Sequence, residues 1–224
     1  MVSTDELKVR RHPERGRYNK DELLNILRNG FVCQVAFQID GRPFIIPMSY
    51  YTDSEYIYIH GSPVARISNT LRSGAQLAIS VLEIDGLVLA NGLADNSLNY
   101  RSAIIFGKPE EINDENQKLS LFKEWVEQLV PGRIGDTELP THDELSNVSV
   151  FRVKLDHFSV KIRTGGPSEV RKNPEIWSGV IPISLKFSSP EFASNPATPE
   201  YIDRFIESRN RNGRGGRDGP SKFP

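Results

Sequence analysis

Between Arg42 and Tyr51 the residues Phe44, Ile46, Met48 and Tyr50 alternate with Pro43, Ile45, Pro47 and Ser49, and between Glu55 and His60 Ile57 and Ile59 alternate with Tyr56, Tyr58 and His60. A period of two sends successive side chains to opposite faces of a strand, so the stretch predicts a hairpin turned at Thr52-Asp53-Ser54. Gly61, Ser62 and Pro63 come next, then Val64, Ile67 and Leu71 at helical spacing. Ser62 is the expected N-cap and Pro63 the first residue of a helix over 63–73. Such a helix start gathers unpaired amides and the positive end of the dipole, and Arg66 lies one turn in, which together make a seat for a phosphate. Taken alone, Gly61-Ser62-Pro63 is more often a plain strand-to-helix turn.

The same reading extends along the chain. Asn19 and Glu22 frame a helix start, Leu23, Leu24, Ile26 and Leu27 supply its apolar face, and Gly30 ends it. Phe31–Gln38 reads as a strand and Asp40-Gly41 as a hairpin turn. Ala75–Leu82 is a strand, Asp85-Gly86 a turn into Leu87–Ala90, Asn91–Asn96 a loop and Asn99–Phe106 a further strand. Asp114 and Gln117 cap a second clear helix, whose stripe of Leu119, Phe122, Trp125, Val126 and Leu129 assigns Trp125 to the core, and Pro131-Gly132 breaks it. A short helix is expected at His142–Asn147, then strands Val148–Leu155 and Phe158–Arg163 meeting at Asp156-His157.

Six or more strands joined mostly by tight turns, with no βαβ alternation and no glycine-rich or Walker phosphate motif, predict a mainly β protein: an antiparallel barrel with a few short peripheral helices. A small barrel fills its interior with side chains, so a larger ligand needs the rim or a subunit interface. Residues 1–17, with Arg10, Arg11, Arg15 and Arg17, form an arm, and 18–187 the barrel domain. Residues 188–224 are a tail rich in Pro, Gly and Arg, predicted disordered apart from a candidate short helix at Tyr201–Arg209.

The 224 residues suffice for one core, and a net charge of -1 gives no general reason to expect a nucleic-acid or membrane partner. The single cysteine, Cys33, excludes a disulfide within the chain and a cysteine metal cluster. The charged start and the lack of a long apolar run point to a soluble, cytoplasmic protein. His12, His142 and His157 lack metal-ligand spacing, and no Gly-x-Ser-x-Gly elbow occurs, which sets zinc and hydrolase chemistry aside.

Three separated segments share a resemblance. They are Tyr58-Ile59-His60-Gly61-Ser62 leading to Arg66; Asp85-Gly86-Leu87-Val88-Leu89-Ala90 leading to Asn99-Tyr100-Arg101-Ser102 and Phe106-Gly107; and Lys161-Ile162-Arg163-Thr164-Gly165-Gly166-Pro167 leading to Trp177-Ser178-Gly179-Val180-Ile181-Pro182. Arg11-His12-Pro13-Glu14-Arg15-Gly16-Arg17-Tyr18 and Pro131-Gly132-Arg133 fit as well. Over roughly residues 10–185 the chain resembles the pyridoxamine 5'-phosphate oxidase-related flavin-nucleotide-binding proteins, including the nitroimidazole-resistance-like group.

The resemblance implies a split β-barrel, a homodimer holding FMN between subunits, and residues 18–187 as the FMN-binding domain. Pro47, Met48, Ser49 and Tyr50 would line the flavin ring with strand backbone, His60, Gly61 and Ser62 would lie near the ribityl chain, and Arg66, Arg101 and Ser102 would meet the phosphate. Trp177 would come from the partner subunit. The implied activity is an oxidoreductase passing electrons from NAD(P)H through FMN to a small organic acceptor, with His60 the one titratable side chain to test as proton donor. One departure stands out: many members carry a histidine pair where this chain has Asp95 and Asn96, which favours the alternative of a non-enzymatic flavin or haem carrier or redox sensor. A basic pair for a second phosphorylated ligand is not evident, which disfavours pyridoxamine phosphate oxidation itself.

Overall fold

The computed structural model describes residues 7–168, 173, 175–191 and 197–215, the last four without their side chains. Among these residues ten strands form one antiparallel sheet in the order β1-β9-β6-β5-β2-β3-β4-β8-β7, with β10 added against β5. They are β1 (Gly16–Arg17), β2 (Val32–Ile39), β3 (Arg42–Thr52), β4 (Tyr56–Gly61), β5 (Leu77–Leu89), β6 (Ser97–Gly107), β7 (Glu110–Ile112), β8 (Ser149–Lys154), β9 (Phe158–Arg163) and β10 (Gly179–Pro182). Helices α1 (Lys20–Asn29), α2 (Arg66–Arg72), α3 (Glu115–Leu129), α4 (His142–Ser146) and α5 (Glu200–Gly215) surround it. The architecture is the expected split barrel, mainly β with short helices. No helix among the described residues is long and apolar enough to cross a membrane.

Alternation builds the core. Val35, Ile57, Ile79, Val81, Ile105, Val153 and Val160 point inward from six strands, and α1 closes the barrel with Leu23, Leu24, Ile26 and Leu27. Asn19 caps α1 by accepting from the Glu22 amide at 2.8 Å. The Tyr50 hydroxyl donates to the Leu27 carbonyl at 2.8 Å, and a Cβ at Gly30 would lie 2.6 Å from that hydroxyl, so only glycine allows the contact. Asp40 and Gly41, with φ 49° and 77°, make the left-handed turn between β2 and β3. Strands β8 and β9 meet at Asp156-His157 without pairing: β8 lies between β4 and β7, β9 between β6 and β1, and the connection curls the two ends of the sheet together.

Several expectations need correction. Asp85-Gly86 is no turn, because β5 runs through it with a bulge between Ile84 and Gly86. A Cβ at Gly86 would lie 3.0 Å from the Ile181 carbonyl, so this glycine serves the approach of β10. Helix α2 begins at Arg66 with Ala65 as its N-cap, because the Ala65 amide bonds the Ser62 carbonyl at 3.0 Å and makes residues 62–65 a turn; Pro63 is therefore outside the helix. In α3 the stripe residues are only half-buried, Trp125 included, and Lys118 is the one fully buried side chain. Strand β7 was unforeseen. The short helix expected at Tyr201–Arg209 is present and runs further, over Glu200–Gly215, where disorder was expected from Asn210, and it is docked: Arg209 sits over the rings of Phe31, Phe187 and Phe205, and Asn210 bonds the Phe187 backbone twice. Residues 216–224, with Arg217, lie outside the described residues.

Candidate functional site

Strand β3 changes partners along its length, and this opens a groove. From Arg42 to Ser49 it pairs with β2, and only Tyr50, Tyr51 and Thr52 pair with β4 on its other side. Over 42–49 that second edge has no strand partner among the described residues. The corner between β4 and α2 lies along it: a Cβ at Gly61 would sit 3.9 Å from Met48 Cε, and the Arg66 guanidinium stacks 5.3 Å from the Phe44 ring centre. A sheet that parts here leaves backbone donors and acceptors facing a cleft.

The corner is fixed in place. The Ser62 carbonyl accepts from the Ala65 amide and, at 2.7 Å, from Ser68 Oγ. Arg72 donates to the Pro63 carbonyl at 2.9 Å and to Asn69 Oδ1 at 3.1 Å while paired with Glu111 at 2.9 Å. Arg66 is exposed and has no carboxylate partner among the described residues, so its fork of donors is available to a phosphate. The seat rests on this side chain rather than on a capped helix start.

Alternation divides the remaining expected residues. Pro47 and Ser49 share the outer face with Gln34 and Val32, and Ser102, opposite Leu82 and Lys161, lies on the same face. Val32, Ile45, Leu82 and Ile104 are 52%, 67%, 59% and 39% exposed there, a broad apolar surface on the outside of the sheet. Tyr50 points the other way, into the core, so only its backbone remains available.

Arg101 does not join Arg66. It points inward and is held bidentately by Asp85 at 2.8 and 3.0 Å and by Glu83 at 2.8 Å. The pairing of Gln34 with Ser80 sets Glu83 level with Phe31, six residues along β2 from the Phe37 that faces Phe44. At 3.3 Å per residue the two arginines sit roughly 20 Å apart, so the expected joint grip on one phosphate is not assembled in the protomer. Burial lifts the Glu83 carboxyl above its usual range against the opposing pull of Arg101, and the neighbouring Asp85 adds to the rise.

His60 also stands apart. It faces α3, with ring centres 4.8 Å from Trp125 and 5.7 Å from Phe122, and burial lowers its pKa and keeps it neutral. A proton donor to the groove it is not, since α3 covers its ring. Trp177 is 65% exposed on the approach to β10 and lies against Gly179, where a Cβ would come within 2.8 Å of the indole. Asn96 accepts from the Ala90 amide at 3.0 Å and donates to the Leu93 carbonyl at 2.9 Å, so this side chain pins its own loop. The structure thus brings Met48, Gly61, Ser62 and Arg66 into one corner and Pro47, Ser49 and Ser102 onto one face. Sequence reasoning missed Phe44 beneath Arg66, although its place in the alternation carried that signal, and missed Glu83 and Asp85 around Arg101, which no local pattern reveals.

A curled antiparallel sheet that parts along one edge of β3 defines a split-barrel protein. The family model described as pyridoxamine 5'-phosphate oxidase matches residues 19–162, and the chain belongs to that family. Among solved structures it is similar to the flavocytochrome Anf3 from Azotobacter vinelandii, with 28% identity over 90% of this chain and 97% of that one and a TM-score of 0.83. It is similar to the FAD and haem binding protein from Mycobacterium smegmatis, with 25% identity over 86% and 97% and a TM-score of 0.79. A 5-nitroimidazole antibiotic resistance protein of Bacteroides thetaiotaomicron VPI-5482 shares the fold at 21% identity over 66% and 86%, with a TM-score of 0.56. No curated protein matches the chain.

Proposed function

We propose that the protein binds a flavin nucleotide, FMN, in the groove along the free edge of β3, and passes electrons from NAD(P)H to a small organic acceptor. The observation that carries the reading is the juxtaposition of that unpaired edge with the Arg66 corner. The residues fit the group: Arg66 offers charged donors for the phosphate, Gly61 leaves the space above Met48 open to the ribityl chain, and the β3 backbone offers polar groups to the ring edge. A bound flavin supplies the hydride and electron chemistry. The chain binds it, orients it and excludes water. The apolar outer face carrying Pro47, Ser49 and Ser102 suits a second copy, which would close the groove as a homodimer and bring Trp177 across.

Two relatives of this chain are named for flavin and haem together, which supports cofactor binding more strongly than any particular reaction. Asp95 and Asn96 at the histidine positions favour the second reading, a non-enzymatic carrier or redox sensor. The deciding experiment is an anaerobic one: purified, flavin-loaded protein mixed with NADH or NADPH bleaches quickly if it is an oxidoreductase and stays yellow if it is a carrier. For the site itself, Arg66→Ala is expected to weaken flavin retention about tenfold or more, the worth of a charge-assisted contact. Wild-type flavin content in that variant rejects the phosphate role.

A further inference from the structure

We propose that Arg15 and Arg163, brought together where the N-terminal arm pairs with β9, form an anion site that takes a phosphate monoester. The proposal stands apart from the flavin groove, since β9 and β3 are four places apart in the sheet. Arg163 closes β9 opposite Tyr100 and is 5% exposed. Its Nη1 donates to Asn99 Oδ1 and its Nη2 to the Gly166 carbonyl at 3.3 Å, so both acceptors are neutral. No carboxylate pairs with it among the described residues. A guanidinium taken this far out of water without a counter-charge is costly to keep, and an anion beside it removes that cost.

The arm adds charge of the same sign. Pairing of Gly16 with Lys161 lays Arg15 beside the end of β9, and burial together with the charge of Arg15 holds the Arg163 pKa below the usual arginine range. The carboxylate near Arg15 is Glu14, at 3.6 Å, and it lies closer to His12, at 3.1 Å. Arg17 spends its guanidinium on the Glu14 and Gly16 carbonyls at 2.7 and 2.9 Å, and half-buried Lys161 precedes Arg163 by two residues on β9. Four cations on two paired strands thus share one carboxylate, itself 64% exposed. A phosphate monoester, with a charge of about −1.5 to −2 at neutral pH and three acceptor oxygens, matches that surplus, and a single carboxylate leaves half of it unmet. Guanidinium forks also suit its geometry.

The mouth of the site is open. Arg163 Nε makes no hydrogen bond among the described residues and is not enclosed, so solvent reaches this donor. Arg15 keeps 22% of its side chain in water. Next to Arg163 the chain turns at Gly165, with φ 94°, and a Cβ there would have nothing within 4 Å. Asn99 donates to the Gly165 carbonyl at 3.0 Å and fixes that turn. One phosphate group at the surface end of the two guanidiniums needs no further cavity and no movement of the fold.

The test is thermal unfolding of the full chain in inorganic phosphate against chloride at equal ionic strength, which cancels general screening. Phosphate is expected to raise the midpoint of wild type, and of Arg66→Ala, in a saturable way. Arg15→Ala is expected to weaken phosphate binding about tenfold or more, the worth of a charge-assisted contact. Arg163→Gln, which removes a buried charge and so keeps the fold, is expected to abolish the effect. Calorimetric titration with NADP+ and NAD+ then separates two sources of the same group. NADP+ binding about tenfold or more tighter than NAD+, with inorganic phosphate competing, assigns the site to the 2′-phosphate of the dinucleotide; equal binding of the two beside intact phosphate binding assigns it to free phosphate. No saturable effect of phosphate, an effect that survives both arginine substitutions, or one that vanishes in Arg66→Ala would each overturn the proposal. Loss of bound flavin from Arg15→Ala would overturn it too, since the site would then be the flavin's own.

Discussion

Two helices cover two faces of this sheet, and they do so in opposite ways. Helix α1 drives Leu23, Ile26 and Leu27 to 0% exposure inside the barrel, whereas α3, longer and less sharply striped, leaves Leu119, Phe122, Trp125, Val126 and Leu129 half-buried. An amphipathic pattern therefore says which side of a helix turns inward and not how tightly the inside is filled. The tightness comes from the partner surface: α1 meets a closing barrel that surrounds it, and α3 meets one open sheet face of aromatic rings.

The sharpest way to break this contrast is to remove one side chain from each helix. Leu27→Ala opens a cavity among fully buried neighbours and is expected to cost about 2–5 kcal/mol, a drop of many degrees in thermal midpoint. Val126→Ala in α3 removes a group already half in water, and about 1 kcal/mol or less is expected. Equal losses in calorimetry would mean that the two helices pack alike.

Protonation gives a milder probe of the α3 side. Burial holds the folded pKa of His60 below the ordinary histidine value of 6.5. Below about pH 6.5 the unfolded chain takes up a proton that the folded one refuses, so stability falls as pH drops from there and levels off beneath the folded pKa. Urea titrations of wild type and His60→Gln should show this slope in the first and its loss in the second. A slope unchanged by the substitution would place the responsible histidine elsewhere.

Much of the fold was legible because its rules are local. Alternation over 42–60, the Asn19 cap and the Asp40-Gly41 turn each act within a few residues, and each element formed where its pattern lay. What could not be read depends on distant chain. Gly86 looks like a turn until β10, nearly a hundred residues later, comes to lie against it. Arg101 looks like a free cation until the bulge in β5 brings Asp85 to it. The corner of the site was legible in Gly61, Ser62 and Arg66; its other wall, the bare edge of β3, follows from where β4 stops pairing and leaves no mark in composition.

The smallest expected effect separates two neighbours in one strand. Tyr50 donates its hydroxyl inward to the Leu27 carbonyl at 2.8 Å, and Tyr51 donates outward to Glu124 at 2.6 Å. Tyr50→Phe leaves a backbone carbonyl in the barrel without that donor and is expected to cost about 1–3 kcal/mol, because water cannot replace what was lost. Tyr51→Phe frees a carboxylate that solvent reaches at once, and a change of about 0.5 kcal/mol or less is expected despite the shorter, charge-assisted bond. Paired denaturation curves on the two variants decide between bond strength and burial as the governing quantity: a larger loss at Tyr51 would show α3 to be held by its polar latch rather than resting loosely on the rings beneath it.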